Sequence, residues 1–412
     1  MRNEAKKRKK STLVLKQLNG ANWLKDQVYR IASGGKLALD SLMQEVGRTL
    51  IEGILYMERE ELSGPDYYPS SPELKKWASQ AGSVYLTRSD GQREMKLSSY
   101  EQLKEPDAFS EELLMKALCG LSGRRYHETV ADTASSFGIS ASSVSRHIVE
   151  ATSGKLRKFK ERPLSDFIPF AIFLDTVHRG GMAFLVAMGI DFSGRKRILG
   201  FWEGASENSE IGEQLLRDLE GRNLKFGNKT LWITDGGSGL IKTLKDRFGR
   251  KLIHQRCTIH KDRNIQLHLP KRYRKEAHNR FRISLEQNSY EEAKSMLKKM
   301  EKWLRNINES AANSLLEAFE EILTLHRLKV PAVLRKRLHS TNAIENIFSQ
   351  VRHCEKNIKR YRNSRMAQRW LAAICLDVEP RFNKIAGSRH IPEVANQIEK
   401  EHMKDITNTI AA

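Results

Sequence analysis

The chain has 412 residues and carries 71 Lys and Arg against 50 Asp and Glu, which gives a formal net charge of +21. This excess predicts a polyanionic partner, namely nucleic acid, with a merely basic soluble enzyme as the alternative. No apolar run reaches the length of a membrane span, and four scattered cysteines without a CxxC pair exclude a disulfide framework.

The N-terminal region, residues 1–105, is predicted to be a basic arm followed by a mainly helical DNA-binding region. Residues 2–10 are basic and lack the apolar core of a secretory signal, so we expect them to add non-specific affinity for DNA. Apolar residues recur at helical spacing over 40–61. Strand-like runs at 83–87 and 94–97 flank turn residues and predict a hairpin.

A helix-turn-helix is predicted within residues 106–160. A helical pattern over 126–137 is broken at Gly138, and another over 141–148 contains small polar residues and an arginine. An ordinary helical hairpin is the alternative, because this motif is loose in sequence. The basic segment 155–162 would then link to the next domain. The residues expected to face the major groove are Ser142, Ser143, Ser145 and Arg146.

From residue 167 the pattern changes to alternating strands and helices. Apolar runs separated by Gly turns predict three antiparallel strands, and two further strands alternate with helices. The order β-β-β-α-β-α-β-α is typical of an α/β fold, the ribonuclease-H-like mixed five-stranded sheet with helices on both faces. In that arrangement the first and fourth strands are neighbours.

Residues 271–334 interrupt this order and are predicted to form an all-helical insertion between the two parts of the core, 161–270 and 335–385. Ser289 and Glu292 have the spacing of a capping box. Trp303 is interpreted as a core aromatic, with a stacking platform for a nucleotide base as the alternative. Residues 386–412 are predicted to be a C-terminal tail.

Three carboxylates are predicted to meet at one edge of the sheet. Asp175 and Asp235 each end an apolar strand, and Glu345 flanks the buried face of a late helix. Such hard oxygen ligands suit two Mg²⁺ or Mn²⁺ ions, which activate an attacking water or hydroxyl and stabilise the leaving oxygen of a phosphodiester. The alternatives are a plain turn at Asp235 and a capping box from Asn342 to Glu345.

A CxxH pair, Cys257 and His260, follows the last strand. A zinc site is one interpretation, but no second CxxC or HxxxH pair supplies the remaining ligands. The favoured interpretation is that both residues shape the carboxylate site or contact DNA.

Basic residues are concentrated on both sides of the carboxylates. Such clusters predict contacts with DNA phosphates, although a charge run is usually a solvated face. The residues of these clusters that are predicted to bind DNA are Arg256, Lys261, Arg263, Arg352 and Lys356.

Several segments in combination resemble the mutator-type superfamily of bacterial insertion-sequence transposases. They are residues 173–175, 186–190, 194–202, 234–236, 255–264 and 340–345. The resemblance implies a ribonuclease-H-like core whose catalytic Asp-Asp-Glu triad falls on Asp175, Asp235 and Glu345. It also implies that the Cys-x-x-His signature of the family falls on Cys257 and His260.

The resulting hypothesis is a metal-dependent transposase that binds the terminal inverted repeats of its element in double-stranded DNA, cleaves the ends and joins them to target DNA. Two ends must be cut together, so a homodimer or larger assembly is expected, without a membrane partner. We expect it in the bacterial cytoplasm, on the nucleoid when it acts. The alternatives are a ribonuclease-H-like nuclease without strand transfer and a catalytically silent DNA-binding protein derived from a transposase.

Overall fold

Two β-sheets organise the part of the chain that the computed structural model describes, namely residues 54–64, 75–80, 83–88, 91–104, 141–179, 181–205, 208–355 and 361–410. They belong to separate compact units, Met1–Ala151 and Thr152–Ala412. None of the described helices is long and apolar enough to cross a lipid bilayer.

The described part of the first unit contains a three-stranded antiparallel sheet in the order β1-β2-β3. Its elements are α1 (54–63), β1 (Lys75–Gln80), β2 (Ser83–Arg88), β3 (Gly91–Lys96), α2 (Ser98–Lys104) and the start of α3 (Ala141–Glu161). The predicted hairpin is confirmed as β2 and β3. Strand β1 was missed, because its sequence lacks apolar alternation and its register shifts between Lys76 and Ala78.

A carboxylate of α1 caps helix α2 in this unit. Glu58 accepts hydrogen bonds from the backbone N–H groups of Ser98, at 2.6 Å, and Ser99, at 2.9 Å. Burial alone would raise the pKa of Glu58, but the hydrogen bonds from both serines outweigh it and lower this pKa to about 2. The helix N-terminus is therefore satisfied by a residue 40 positions earlier in the chain.

Most of the predicted helix-turn-helix, including the helix 126–137 and the turn 138–140, lies outside the described residues. The predicted helix 141–148 is the first part of α3, but α3 continues to Glu161, so the segment 155–162 is not the linker that was predicted. Lysines in its last turn favour the helix C-terminus, and Phe159 is buried. The side chains of Ser142, Ser143, Ser145 and Arg146 lie outside what the structure describes.

The described residues of the second unit form a five-stranded mixed sheet in the order β6-β5-β4-β7-β8. Its strands are β4 (Pro169–Arg179), β5 (Met182–Asp191), β6 (Lys196–Glu203), β7 (Leu231–Thr234) and β8 (Ile253–Arg256). Neighbours among β4, β5 and β6 are antiparallel, whereas β7 is parallel to both β4 and β8. The α/β class, the mixed sheet and the adjacency of its first and fourth strands are confirmed.

Strand β4 extends further than its sequence predicts. Asp175 does not end it, because the antiparallel partner β5 keeps pairing as far as Arg179, and Asp175 lies opposite Val186. On its other side, the parallel strand β7 stops at Thr234, opposite Leu174. Asp175 therefore lies in the middle of its own strand but just beyond the end of its neighbour.

Helices α4 (Ser209–Gly221) and α5 (Ser238–Phe248) pack on one face of the sheet. Leu174, Leu185 and Trp232 contribute to the hydrophobic core on that face. Because successive strand residues point to opposite faces, Asp175 points away from this core. The other side of β4 contacts α12 (Asn342–Glu355), which arrives late in the chain.

Between β8 and α12 the described elements are all helical. The first, α6 (Thr258–Leu267), precedes the predicted insertion. The described elements from residue 271 onward are helical as predicted, namely α7 (Lys271–Glu286), α8 (Tyr290–Arg305), α9 (Glu309–Leu316), α10 (Thr324–Arg327) and α11 (Ala332–Leu338). After α12 follow α13 (Ser364–Val378) and α14 (Ile391–Ile410). The predicted capping box of Ser289 and Glu292 is present at the start of α8.

Trp303 packs against the hydrophobic core of the insertion, as its favoured interpretation predicted. Its ring meets Tyr273 edge-on, with the centroids 6.4 Å apart, and the guanidinium of Arg280 lies 4.7 Å from its centroid. The ring is therefore already engaged, so we do not retain it as a platform for a base.

Candidate active site

Asp175 and Asp235 lie side by side where β7 ends. Leu174 pairs with Thr234, so the two aspartates are the next residues on adjacent parallel strands, about 4.8 Å apart in backbone spacing. Asp175 is 6 % exposed and accepts a hydrogen bond of 2.9 Å from the N–H of Thr176. Asp235 accepts one of 3.1 Å from the N–H of Gly237.

The two carboxylates repel each other. Burial, followed by the charge of Asp235, raises the pKa of Asp175 to about 7. The charge of His260 and hydrogen bonds from Thr341 and Thr176 act in the opposite direction but do not outweigh these causes. The ionised form of Asp175 is thus disfavoured in the protein alone, and a cation at the pair would favour it.

The turn after Asp235 requires glycine. Gly236 has a φ of +109°, and a Cβ added there would lie 2.0 Å from Nε of Arg256. Arg256 is the last residue of β8 and is 4 % exposed, so it has little room to move away. The backbone that carries Asp235 therefore rests directly on a buried guanidinium.

Cys257 and His260 form one wall of the site at the start of α6. The backbone N–H and the hydroxyl of Thr341 lie 3.4 and 3.6 Å from Sγ of Cys257. Burial alone would raise the pKa of Cys257, but the neighbouring imidazole of His260 lowers it. The proximity of Cys257, opposed by burial and assisted by both aspartates, raises the pKa of His260 to about 9. The surroundings of His260 therefore favour its cationic form beside the carboxylates.

Glu345 reaches the site beside this imidazolium. Its Oε1 lies 4.0 Å from Nε2 of His260, and its side chain is 36 % exposed. The backbone N–H of Glu345 donates to the carbonyl of Thr341 at 3.1 Å, which makes Thr341 the N-cap of α12. Glu345 is the fourth residue of the helix, one position too late for a capping box, so the capping interpretation from Asn342 is wrong.

The chemistry of the aspartate pair fits a hard divalent cation. Mg²⁺ is commonly held by one or two carboxylates together with substrate phosphates. Within the described part of the chain, no group of three or more His, Cys, Asp and Glu side chains is placed to hold a metal ion. Asp175 and Asp235 are thus brought together, whereas Glu345 contacts His260 rather than the pair.

Arg256 and Lys261, both predicted to contact DNA, are buried instead. Arg256 donates to Glu317 at 2.7 Å and to Glu321 at 3.1 Å. Lys261 is 2 % exposed and donates to the carbonyl of Ser314 at 2.9 Å and to Glu317. Because insertion carboxylates neutralise both charges, neither side chain is available to a phosphate, and we revise that prediction.

The other predicted DNA contacts differ in what the structure shows. Arg263 and Arg352 are exposed, on α6 and α12 respectively. Lys356 lies outside the described residues. The contacts of all three with DNA stay predictions.

Sequence reasoning missed Thr341, which caps α12, contacts Sγ of Cys257 and lowers the pKa of Asp175. Its signal was available, since threonine just before a helical pattern is typical of an N-cap. It also missed Glu317 and Glu321, whose role depends on how the insertion folds back onto β8.

Comparison with known proteins gives a consistent result. Residues 24–384 match a family model described as "Transposase, Mutator family". A transposase for insertion sequence element ISRM5 of Rhizobium meliloti (strain 1021) is 27% identical over 372 residues, which is 85% of this chain and 90% of that protein. The transposase for IS6120 of Mycolicibacterium smegmatis is 27% identical over 250 residues, 59% and 76% of the two chains. The transposase for IS256 in transposon Tn4001 of Staphylococcus aureus is 29% identical over 202 residues, 48% and 50%.

Proposed function

Because the chain belongs to the Mutator family of transposases, we propose that it binds the terminal inverted repeats of an insertion sequence and catalyses metal-dependent strand cleavage and strand transfer there. Three similar proteins are each named as the transposase for an insertion sequence element. The net charge of +21 supports double-stranded DNA as the partner.

The architecture supports a ribonuclease-H-like core with an Asp-Asp-Glu triad. The sheet order β6-β5-β4-β7-β8 and the helical insertion before α12 are the features that this assignment requires. The proposed triad is Asp175, Asp235 and Glu345, with Glu345 completing the site once DNA is in place.

Asp175 and Asp235 would hold the cofactor, Mg²⁺ or Mn²⁺, with Glu345 as the third ligand. Bound ions would supply Lewis acidity toward the attacking and leaving oxygens of a phosphodiester. The chain itself orients the ligands. Thr341 hydrogen-bonds the carboxyl group of Asp175, and the glycine turn fixes the backbone of Asp235.

His260 would position negative charge in this site. As a cation beside both aspartates and 4.0 Å from Glu345, it offsets part of their repulsion and holds Glu345 near the pair. Cys257 keeps the imidazole charged. The pair Cys257 and His260 would thus shape the site without transferring the phosphoryl group.

Contacts with DNA would come from exposed basic residues, including Arg263 and Arg352, and from the N-terminal segment with Ser142, Ser143, Ser145 and Arg146. Phosphate contacts fix the register of a protein on DNA, whereas base contacts in the grooves read the sequence. Because two ends of an element must be cut together, we propose a homodimer or larger assembly on DNA.

The observation that carries this proposal is the β4–β7 register, which sets Asp175 beside Asp235. It is tested with end-labelled duplexes that carry the repeats flanking the gene. Asp235→Asn is expected to abolish Mg²⁺-dependent cleavage while binding the duplex as the wild type does. Full cleavage by this variant would overturn the proposal.

A joining assay separates transposition from simple hydrolysis. A pre-cleaved, labelled end with a free 3′-OH is incubated with plasmid DNA and the wild-type protein. Labelled plasmid indicates strand transfer. Cleavage without joining would make the protein a nuclease, and binding without either reaction would make it a DNA-binding protein derived from a transposase.

A further inference from the structure

A cavity of about 510 Å³ lies in the second unit and is lined by residues of α6, α7 and the segment that leads through α10 and α11. Its volume is in the range of small-molecule pockets, about 300–1,000 Å³. Phe281, Ile322 and Leu325 give it apolar walls, and Lys336 and Arg282, which pairs with Glu286 at 2.7 Å, also line it. A flat apolar group with a phosphate attached to it would match this lining.

The cavity backs onto the wall of the candidate active site. Thr258 and His339 line it, and the N–H of Thr258 donates to the carbonyl of His339 at 2.9 Å. The adjoining residues of the same two segments, Cys257 and Thr341, contact each other at the carboxylate site. Two short stretches of chain, 257–258 and 339–341, thus connect the cavity to Asp175.

One buried acceptor in the lining has no partner. Asp262 is 8 % exposed, and its Oδ2 accepts hydrogen bonds from Nδ1 of His278, at 2.7 Å, and Nε2 of Gln266, at 2.9 Å. Its Oδ1 makes no hydrogen bond within the part of the chain that the structure describes. A buried carboxylate oxygen without a donor is costly, so a ligand with an N–H group would stabilise it.

We propose that this cavity receives a nucleobase with an exocyclic amino group, rotated out of the DNA near the cleavage point. This rests on the proposed function, which supplies DNA as the substrate. The amino group would donate to Oδ1 of Asp262, the ring would lie against the apolar walls, and Arg282 and Lys336 would contact the flanking phosphates. Extruding a base requires unstacking, which such a pocket offsets. Thymine has no amino group and would fit least well.

A filled cavity tests this directly. Ala332 is exposed and lines the cavity, so Ala332→Trp can fill it without disturbing the core. Val333 is 54 % exposed and is not part of the lining, so Val333→Trp is the matched control. We expect Ala332→Trp to cleave intact ends at least about tenfold more slowly than the wild type, and Val333→Trp to cleave them normally.

An abasic scan then identifies the extruded base. A duplex that lacks the base at the extruded position inserts nothing into the cavity. Ala332→Trp should therefore cleave this duplex at a rate within roughly threefold of the wild-type rate. Asp262→Asn should lose the preference for an amino-bearing base over thymine at that position. If no abasic position restores cleavage, or if Val333→Trp is equally impaired, the proposal is wrong.

A binding measurement separates this proposal from the proposed function. Duplexes with 2-aminopurine at each scanned position are bound in Ca²⁺, and the fluorescence change on extrusion is compared between wild type and Ala332→Trp. A change that Ala332→Trp abolishes supports the pocket even if the wild type cleaves no end, in which case only the proposed function fails. Normal cleavage without any such change refutes the pocket alone.

Discussion

Two clusters of charged residues lie close together where strands β7 and β8 end, and they differ in how their charges are balanced. At the first, Asp175 and Asp235 lie together, and burial followed by the charge of Asp235 raises the pKa of Asp175 to about 7. At the second, Arg256 and Lys261 are buried against Glu317, and Arg256 also pairs with Glu321. The first cluster repels itself, whereas the second is made of matched pairs.

Whether a charged group is paired within the fold distinguishes a binding role from a structural role better than its residue type does. In a sequence, basic residues near a carboxylate site suggest phosphate contacts, but here Arg256 of β8 and Lys261 of α6 pair with carboxylates of the helical insertion. Like charges that the fold holds together lower the stability of the protein, and a ligand of opposite charge would relieve their repulsion. Matched buried charges need no ligand, although removing one partner is costly.

The largest effect is expected at the self-repelling cluster. Asp175→Asn should lower the rate of Mg²⁺-dependent end cleavage by at least roughly a hundredfold, since it removes a proposed metal ligand. The same variant should raise the melting temperature of the metal-free protein at pH 8, because an ionised Asp175 destabilises the folded protein there. Cleavage of labelled duplex and thermal melting measure the two effects.

Asp246→Asn, at an exposed position on α5, is the control and should change neither the cleavage rate nor the melting temperature. A lower melting temperature for Asp175→Asn would contradict the assigned repulsion.

The matched cluster should respond with lost stability instead. Arg256→Gln removes the buried guanidinium that pairs with both Glu317 and Glu321, and it should lower the free energy of unfolding by about 3 kcal/mol, measured by urea denaturation. Arg305→Gln removes an exposed pair with Glu301 and should cost less than about 1 kcal/mol. Equal effects of the two variants would show that the buried cluster does not anchor the insertion.

The contact between the two clusters is tested at Gly236. Gly236→Ala would place a Cβ against Arg256 at a positive φ, so we expect a loss of about 2 kcal/mol in unfolding free energy and slower cleavage. Gly154→Ala, on α3, meets no atom within 4 Å and should be neutral or slightly stabilising. Wild-type stability and cleavage in Gly236→Ala would rule out the proposed close approach.

The smallest effect concerns a buried histidine of the insertion. Burial and then the charge of Arg335 lower the pKa of His326 to about 4, below its ordinary value of 6.5. The unfolded chain therefore binds a proton that the folded one does not, so stability is lost as pH falls from 6.5 toward 4. His326→Gln should reduce that loss by roughly 1–2 kcal/mol in urea denaturation at the two pH values. His268→Gln, at an exposed position, is the matched control variant.

The sequence was informative where the signal is local. The order of strands along the chain and the Ser289–Glu292 box follow from apolar periodicity and turn residues, whereas the adjacency of Asp175 and Asp235 was predicted from the fold of which that order is typical. The length of β4 does not, because β5 supplies the pairing past Asp175.

Other features depend on which distant segments pack together. The burial of Arg256 and Lys261 requires Glu317, which comes more than 50 residues later. The N-cap at Thr341 places Glu345 one residue too late in α12 for a capping box. Such outcomes need the packed structure.

The most direct test of the central account is the number of Mn²⁺ ions that the protein removes from solution, measured from the electron paramagnetic resonance signal of free Mn²⁺. We predict that the wild type and Asp246→Asn bind Mn²⁺ equally, and that Asp175→Asn and Asp235→Asn lose this binding. Equal binding by all four proteins, or no binding by the wild type, would contradict the assignment of the aspartate pair as a cation site.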